Sequence, residues 1–180
     1  MDGAVWIVIA VIVVIAIAIA VYMAMRKKRT ERLQGRFGPE YERALNEKGD
    51  RKSAEAELGE RERRRAKLDV RELDPREREE FSARWTEVQT RFVDQPGTSV
   101  KHADTLVQEV MRARGYPVDD FEQRAADVSV DHPQVAENYR AAHAISLAND
   151  HERATTEDLR QAMVHYRALF DELLGSHAHH

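Results

Sequence analysis

The chain has 180 residues, with 28 Lys and Arg against 32 Asp and Glu, a net charge of −4 and no cysteine. That length holds one small domain with attachments. The lack of thiols excludes a disulfide scaffold, thiolate zinc, an iron–sulfur cluster and a cysteine nucleophile, and the acidic balance argues against a nucleic-acid partner.

The first element is apolar. Val5–Met25 reads VWIVIAVIVVIAIAIAVYMAM, 21 residues without a charge. A helix needs ~20 residues to cross a ~30 Å hydrocarbon core. Val and Ile would favour a strand in water, but a lone segment in a bilayer satisfies its backbone only as a helix. Trp6 and Tyr22 stand near its ends, where amphipathic rings prefer the interface. A cleavable signal peptide would need a positive n-region, a shorter core and a small-residue cleavage site. Here Met1-Asp2-Gly3 precede the run, and the positive residues Arg26, Lys27, Lys28 and Arg29 follow it. The expectation is a single-pass inner (plasma) membrane protein, N-terminus out and the rest cytoplasmic, with Arg26, Lys27, Lys28 and Arg29 facing membrane lipids. Ala16, Ala20 and Ala24 fall at i, i+4 and i+8 on one face. Small residues so spaced let two membrane helices approach, so a homodimer through them stands beside the plainer reading that alanine is common in such helices.

Charge divides the remainder. Residues 26–67 carry 15 basic and 9 acidic side chains, a net of +6, and residues 68–180 carry 13 and 22, a net of −9. The positive part lies nearest the anionic leaflet. Residues 26–73 form a charged juxtamembrane segment with helical periodicity. Leu33, Phe37 and Tyr41 recur every fourth residue; Gly38-Pro39 interrupts them, and Gly49-Asp50 interrupts again with Asp50 as an N-cap. Ala54, Leu58, Arg65 and Leu68 then share a face. So little apolar surface cannot form a core alone, which leaves a helical hairpin, a stalk or a weak coiled coil. The run Arg61-Glu62-Arg63-Arg64-Arg65-Ala66-Lys67 lacks the aromatics of a nucleic-acid surface and reads as a solvated face, with lipid contact as the alternative.

Residues 74–174 read as a helical bundle. Asp74-Pro75-Arg76-Glu77 is a capping box, followed by the stripe Phe81, Trp85, Val88, Phe92, with Pro96-Gly97 expected to end that helix. Val100, Ala103, Leu106, Val107, Val110 and Met111 mark the next helix, stopped at Gly115. A short helix over Asp119–Val128 turns Phe121, Ala125 and Val128 inward. Pro133 opens another, with Val135, Tyr139, Ala142 and Ile145. Thr155 and Asp158 cap the last, with Leu159, Met163, Tyr166, Phe170 and Leu173. The fold class is therefore all-α: a transmembrane helix at 1–25, charged juxtamembrane helices, a C-terminal bundle with Trp85 and Phe170 in its core, and a flexible His-containing tail at 175–180.

No catalytic constellation is visible, and no cofactor or metal is expected. Phosphate loop, nucleophile elbow and dinucleotide fingerprint are all missing, as is any His-Glu-x-x-His or Glu-x-x-His. The alternative is a cryptic metal or ligand site assembled in space from His102, His132, His143 and His165 with bundle aspartates.

Three stretches are unlike generic helix: Arg36-Phe37-Gly38-Pro39-Glu40-Tyr41, Asn138-Tyr139-Arg140, and the segment from Arg114 to Pro133, RGYPVDDFEQRAADVSVDHP. With them the chain resembles an uncharacterised family of small single-span bacterial proteins, common in high-GC bacteria. The family has no assigned activity, so the resemblance implies a fold and a membrane location and no catalytic residues. The same long segment is the candidate surface for a protein partner, through Arg114, Asp119, Asp120, Arg124, Asp127, Asp131 and His132. Asp120 and Arg124, four apart, are expected to form an exposed pair there. The competing reading is that these residues cap helices and pair with one another. The expected function is thus a membrane-anchored cytoplasmic interaction module, with a metal or ligand protein and an envelope-stress or membrane-surface structural protein as alternatives.

Overall fold

Helix α1 (Asp2–Phe37) carries the apolar run and does not stop where the charges begin. At 1.5 Å per residue its 36 residues span about 54 Å, nearly twice a hydrocarbon core. The computed structural model describes residues 2–175, so the tail expected at 175–180 falls, after Gly175, outside the described residues. Within them one helix, through Trp6–Phe37, is long and apolar enough to cross a membrane; its most apolar stretch has a mean hydropathy of 3.2 and is wholly unburied. The whole is all-α, eight helices packed as a bundle with no strand among the described residues.

Gly38, at φ 48°, breaks α1, and Pro39 starts α2 (Pro39–Lys48). Left-handed Gly49 ends α2, and Asp50 caps α3 (Arg51–Arg65) by accepting from the Ser53 amide at 2.9 Å. Of the three arrangements open to this segment, α2 and α3 adopt the hairpin. Its apolar surface is too thin for a core, and the deficit is met from outside the hairpin. Leu33 and Phe37 come from α1 and Val130 from far along the chain, joining Tyr41, Ala44, Ala54 and Leu58.

The bundle follows. Asp74 and Glu77 make the capping box in both directions at the start of α4 (Pro75–Phe92). Pro96-Gly97 does not end α4. The helix stops at Phe92, and Pro96 opens α5 (Pro96–Arg114). A proline at N1 lacks only an N–H that would go unbonded there, so it starts a helix as readily as it follows one. Gly115 ends α5 at φ 95°, and a Cβ on it would also lie 2.3 Å from the Asp69 carbonyl oxygen, so glycine is required on two counts. Then come α6 (Phe121–Asp131), α7 (Pro133–Asp150) and α8 (Thr156–Leu174), the last opened by the Thr155–Asp158 capping box. Helices α4, α5, α7 and α8 close around Trp85 and Phe170, whose rings stack at 4.6 Å and which are each 2% exposed. The 66–74 connection packs onto this core through Leu68, Val70 and Leu73.

Helix α6 departs most from expectation. It starts at Phe121 and buries seven consecutive residues, Arg124 to Val130. A helix exposing one face to water cannot do that. Ala125 and Val128 belong to the bundle core and Val130 to the α1–α3 core, so α6 is wedged between the two.

Candidate functional site

The Arg114–Pro133 segment folds as a set of internal ties. Arg114 donates Nε to the Arg71 carbonyl at 3.2 Å and Nη1 to the Leu173 carbonyl at 3.1 Å, and it meets His132 Nε2 at 3.3 Å. His132 Nδ1 lies 2.9 Å from Glu172 Oε1. The pair thus binds the end of α5 and the start of α7 to the end of α8. Asp131 accepts the Tyr116 hydroxyl at 2.5 Å and the Arg65 guanidinium. Burial, reinforced by the Asp131 charge, raises the Tyr116 pKa far above the usual phenol value. Asp127, 1% exposed, accepts two bonds from Gln123 Nε2 at 2.8 and 2.9 Å and lies 3.8 Å from Arg64.

The expected exposed Asp120–Arg124 pair does not form. Asp120 caps α6, accepting from the Gln123 amide at 2.8 Å. Free N–H groups of a first helical turn compete for a nearby carboxylate and win it here. Arg124 is buried and donates Nε to the Tyr139 hydroxyl at 3.0 Å and Nη1 to the Val118 carbonyl. Of the seven residues expected to face a partner, Asp119 and Asp120 are exposed, Arg114, Asp131 and His132 are half-buried, and Arg124 and Asp127 are buried.

The arginine run is corrected too. Arg61, 3% exposed, donates to Glu40 at 3.2 Å, to Glu57 at 2.6 Å and to Ser129 Oγ at 3.4 Å. Arg64 approaches Asp127 and Arg65 binds Asp131, while Arg63 and Lys67 keep to solvent. Arg61, Glu62 and Arg65 therefore belong neither to a solvated face nor to a lipid face. The run fastens α3 to α6, because α6 presents carboxylates where α3 presents guanidiniums. Glu40, 1% exposed, gathers Arg61, Arg43 at 3.4 Å and, from α7, Arg140. Sequence reasoning missed this group, although Glu40 stands next to Tyr41 and four before Ala44, on the face turned toward α3. The three motif segments meet at the seam: Glu40 pairs with Arg140, Tyr139 receives Arg124, and Phe37 and Tyr41 share a core with Val130.

Beside the seam, between the hairpin and the start of α6, opens a polar cleft of about 370 Å³. Arg43, Glu57 and Arg64 wall one side, and Asp120, Glu122 and Gln123 the other. The bonds of Lys48 and Arg61 to Glu57 hold its pKa down at about 2.

At the other end, α3 runs alongside α1 in the same direction. Glu55 accepts from Thr30 at 2.6 Å and Tyr41 at 3.2 Å, and its carbonyl accepts from Arg29 at 3.2 Å. Burial and this carboxylate raise the Tyr41 pKa. Two turns on, Glu62 pairs with Arg32 and Arg36 at 2.9 and 3.3 Å. Arg26, Lys27, Lys28 and Arg29 stay exposed, as do Ala16, Ala20 and Ala24.

The four histidines of the alternative site go separate ways. His102 is exposed on α5, His132 is tied to Glu172, and His165 Nδ1 lies 3.1 Å from Asn138 Oδ1. His143 stacks on Phe121 at 3.6 Å, and burial lowers its pKa. Among the described residues no three His, Asp or Glu side chains lie together so as to hold a metal ion. Compared with known families, curated proteins and solved structures, the chain matches none.

Proposed function

We propose that this is a single-pass inner-membrane protein of bacterial type, N-terminus out, whose helical module is a cytoplasmic docking unit for a protein partner. One observation carries the reading. Helix α1 leaves the apolar run without a break and ends inside the module, where Leu33 and Phe37 are fully buried. Anchor and module are joined by packed side chains, not by a loose linker, so the module's surfaces hold a fixed attitude to the bilayer. The basic residues directly after the apolar run support the cytoplasmic orientation.

The reading assigns the partner to the polar cleft, with exposed Asp120 in its wall, and to the exposed Asp119 next to it in the chain. Arg43 and Arg64 facing Asp120 and Glu122 give it both signs of charge, which suits a polar segment of complementary pattern more than an apolar helix. The reading requires no catalytic step and no cofactor. The structural role through the Arg61–Lys67 run is set aside, since Arg61 and Arg65 are occupied by acids of the protein itself.

Photo-crosslinking in intact membranes tests this. A crosslinker replacing Asp119 should give one discrete protein adduct, and one replacing the distant exposed Val93 should give none. Adducts at Val93 and none at Asp119 would place the docking face elsewhere. A periplasm-dependent reporter fused after His180 should be inactive, and activity there would overturn the orientation.

A further inference from the structure

The same-direction packing of α3 on α1 brings the start of α3 back to the level where the apolar run ends. Glu55 lies opposite Arg29 and Thr30, so Arg51 and Lys52, one turn earlier, stand level with Met25 and Arg26. Two clefts result, one on each side of α1. The larger, about 580 Å³, is lined by Tyr22, Arg26, Arg29 and Lys52. The smaller, about 450 Å³, is lined by Tyr22, Arg26, Lys27 and Arg51.

Three of the basic residues lining these clefts are uncommitted: Arg26, Arg51 and Lys52 have no ion-pair partner among the described residues, while Arg29 donates to the Glu55 carbonyl and the arginines farther along α3 are paired. The nearby acids are already engaged, Glu31 with Lys27 at 3.8 Å and Glu55 with the Thr30 and Tyr41 hydroxyls. Tyr22 sits at the junction, with an apolar ring and a polar hydroxyl suited to the headgroup layer.

We propose that these clefts bind the phosphate of anionic phospholipid headgroups, with α1 supplying one set of basic side chains and the α2–α3 tip, through Arg51 and Lys52, the other. This goes beyond a polybasic stretch flanking a span, because the second set comes from a separate helix positioned by the fold. Guanidinium and ammonium groups lining one cleft suit a phosphodiester, and neutral lipid offers no net charge to hold them. The proposal rests on α1 spanning the bilayer.

The test uses the full chain in lipid discs of phosphatidylcholine containing about one-fifth phosphatidylglycerol, a content that gives an anionic surface. Native mass spectrometry counts the lipids retained on release. The expected result is preferential retention of phosphatidylglycerol, falling about fivefold for each basic residue removed in Arg51→Gln/Lys52→Gln, since each contributes about that factor at an anionic surface. Arg63→Gln, at the far end of α3, should retain lipid as the parent does. Unchanged retention in Arg51→Gln/Lys52→Gln would overturn the site. So would an equal loss in Arg63→Gln, which would mean unspecific charge attraction, or displacement of the retained phosphatidylglycerol by added inorganic phosphate, which would mean a free-anion site. Thermal melting of each variant separates lost binding from lost fold. Failure of the chain to enter discs at all would count against the span and not against the clefts alone.

Discussion

The two cores of this protein are held by different physics. The bundle core collects 22 buried hydrophobic residues and the α1–α3 core only seven. The smaller core compensates with polar contacts: Glu40, Glu55, Arg61 and Thr30 are all buried beside it. Apolar burial contributes roughly 25 cal/mol per Å² whatever stands opposite. A buried ion pair contributes only while every member is present, because desolvation of each charge nearly cancels the attraction. The bundle should therefore tolerate change gradually. The α1–α3 unit should fail when one partner is lost and recover when the whole set is replaced.

The largest expected effect lies in the bundle. Trp85→Ala removes a side chain stacked at 4.6 Å on Phe170 and should cost about 3–5 kcal/mol, as other large aromatic truncations do. Thermal melting reads it, and an unchanged midpoint would remove Trp85 from the core. Glu40→Ala comes next. It leaves Arg61 and Arg140 facing each other without their shared carboxylate and should cost about 3 kcal/mol, confined to the hairpin. Limited proteolysis should then cut α2–α3 while the bundle survives. The sharper half of this prediction is the triple variant with Met at positions 40, 61 and 140, which should regain most of the loss. If the triple variant is less stable than Glu40→Ala, the charges contribute net attraction and the contrast between the cores collapses.

How much of this was legible in the sequence depended on the separation of the partners. Asp50 and Ser53, Asp74 and Glu77, and Thr155 and Asp158 are three residues apart, and each cap was readable. The stripe through Trp85 and the apolar run of α1 were readable for the same reason, since both patterns are local. The Arg61–Arg65 run was misread because its partners stand far away; Asp131 is 66 residues from Arg65. An arginine carries the same charge whether water or a carboxylate stands opposite. A clue did exist: Arg61 and Arg65 continue the face of Ala54 and Leu58 at helical spacing. The candidate surface was half legible. Its turn was visible at Gly115, but Asp120, a cap, reads as half of an ion pair with Arg124, and the burial of Arg124 and Asp127 follows from α7 and α3 packing against α6, which no local pattern encodes.

The most direct test of the account is amide hydrogen exchange on the full chain in lipid discs as the pH is lowered. The folded-state pKa of Glu57 lies at about 2, depressed by Lys48 and Arg61. A depressed carboxyl contributes stability that is present above its unfolded value of about 4.5 and lost as pH falls toward the folded value. Glu77 and Glu157 of the bundle are held as low, but they are exposed and stand on the larger core, so lowering the pH from about 6 to about 3 should open the α2–α3 hairpin first, with its protection falling ahead of the rest. Amides of Arg124 to Val130, wedged between the cores, should keep the protection of α5 and α8 throughout. Loss of protection in α6 together with the hairpin, or uniform loss across both cores, would contradict the claim that α6 belongs to the bundle and carries a separately stabilised charged unit against it.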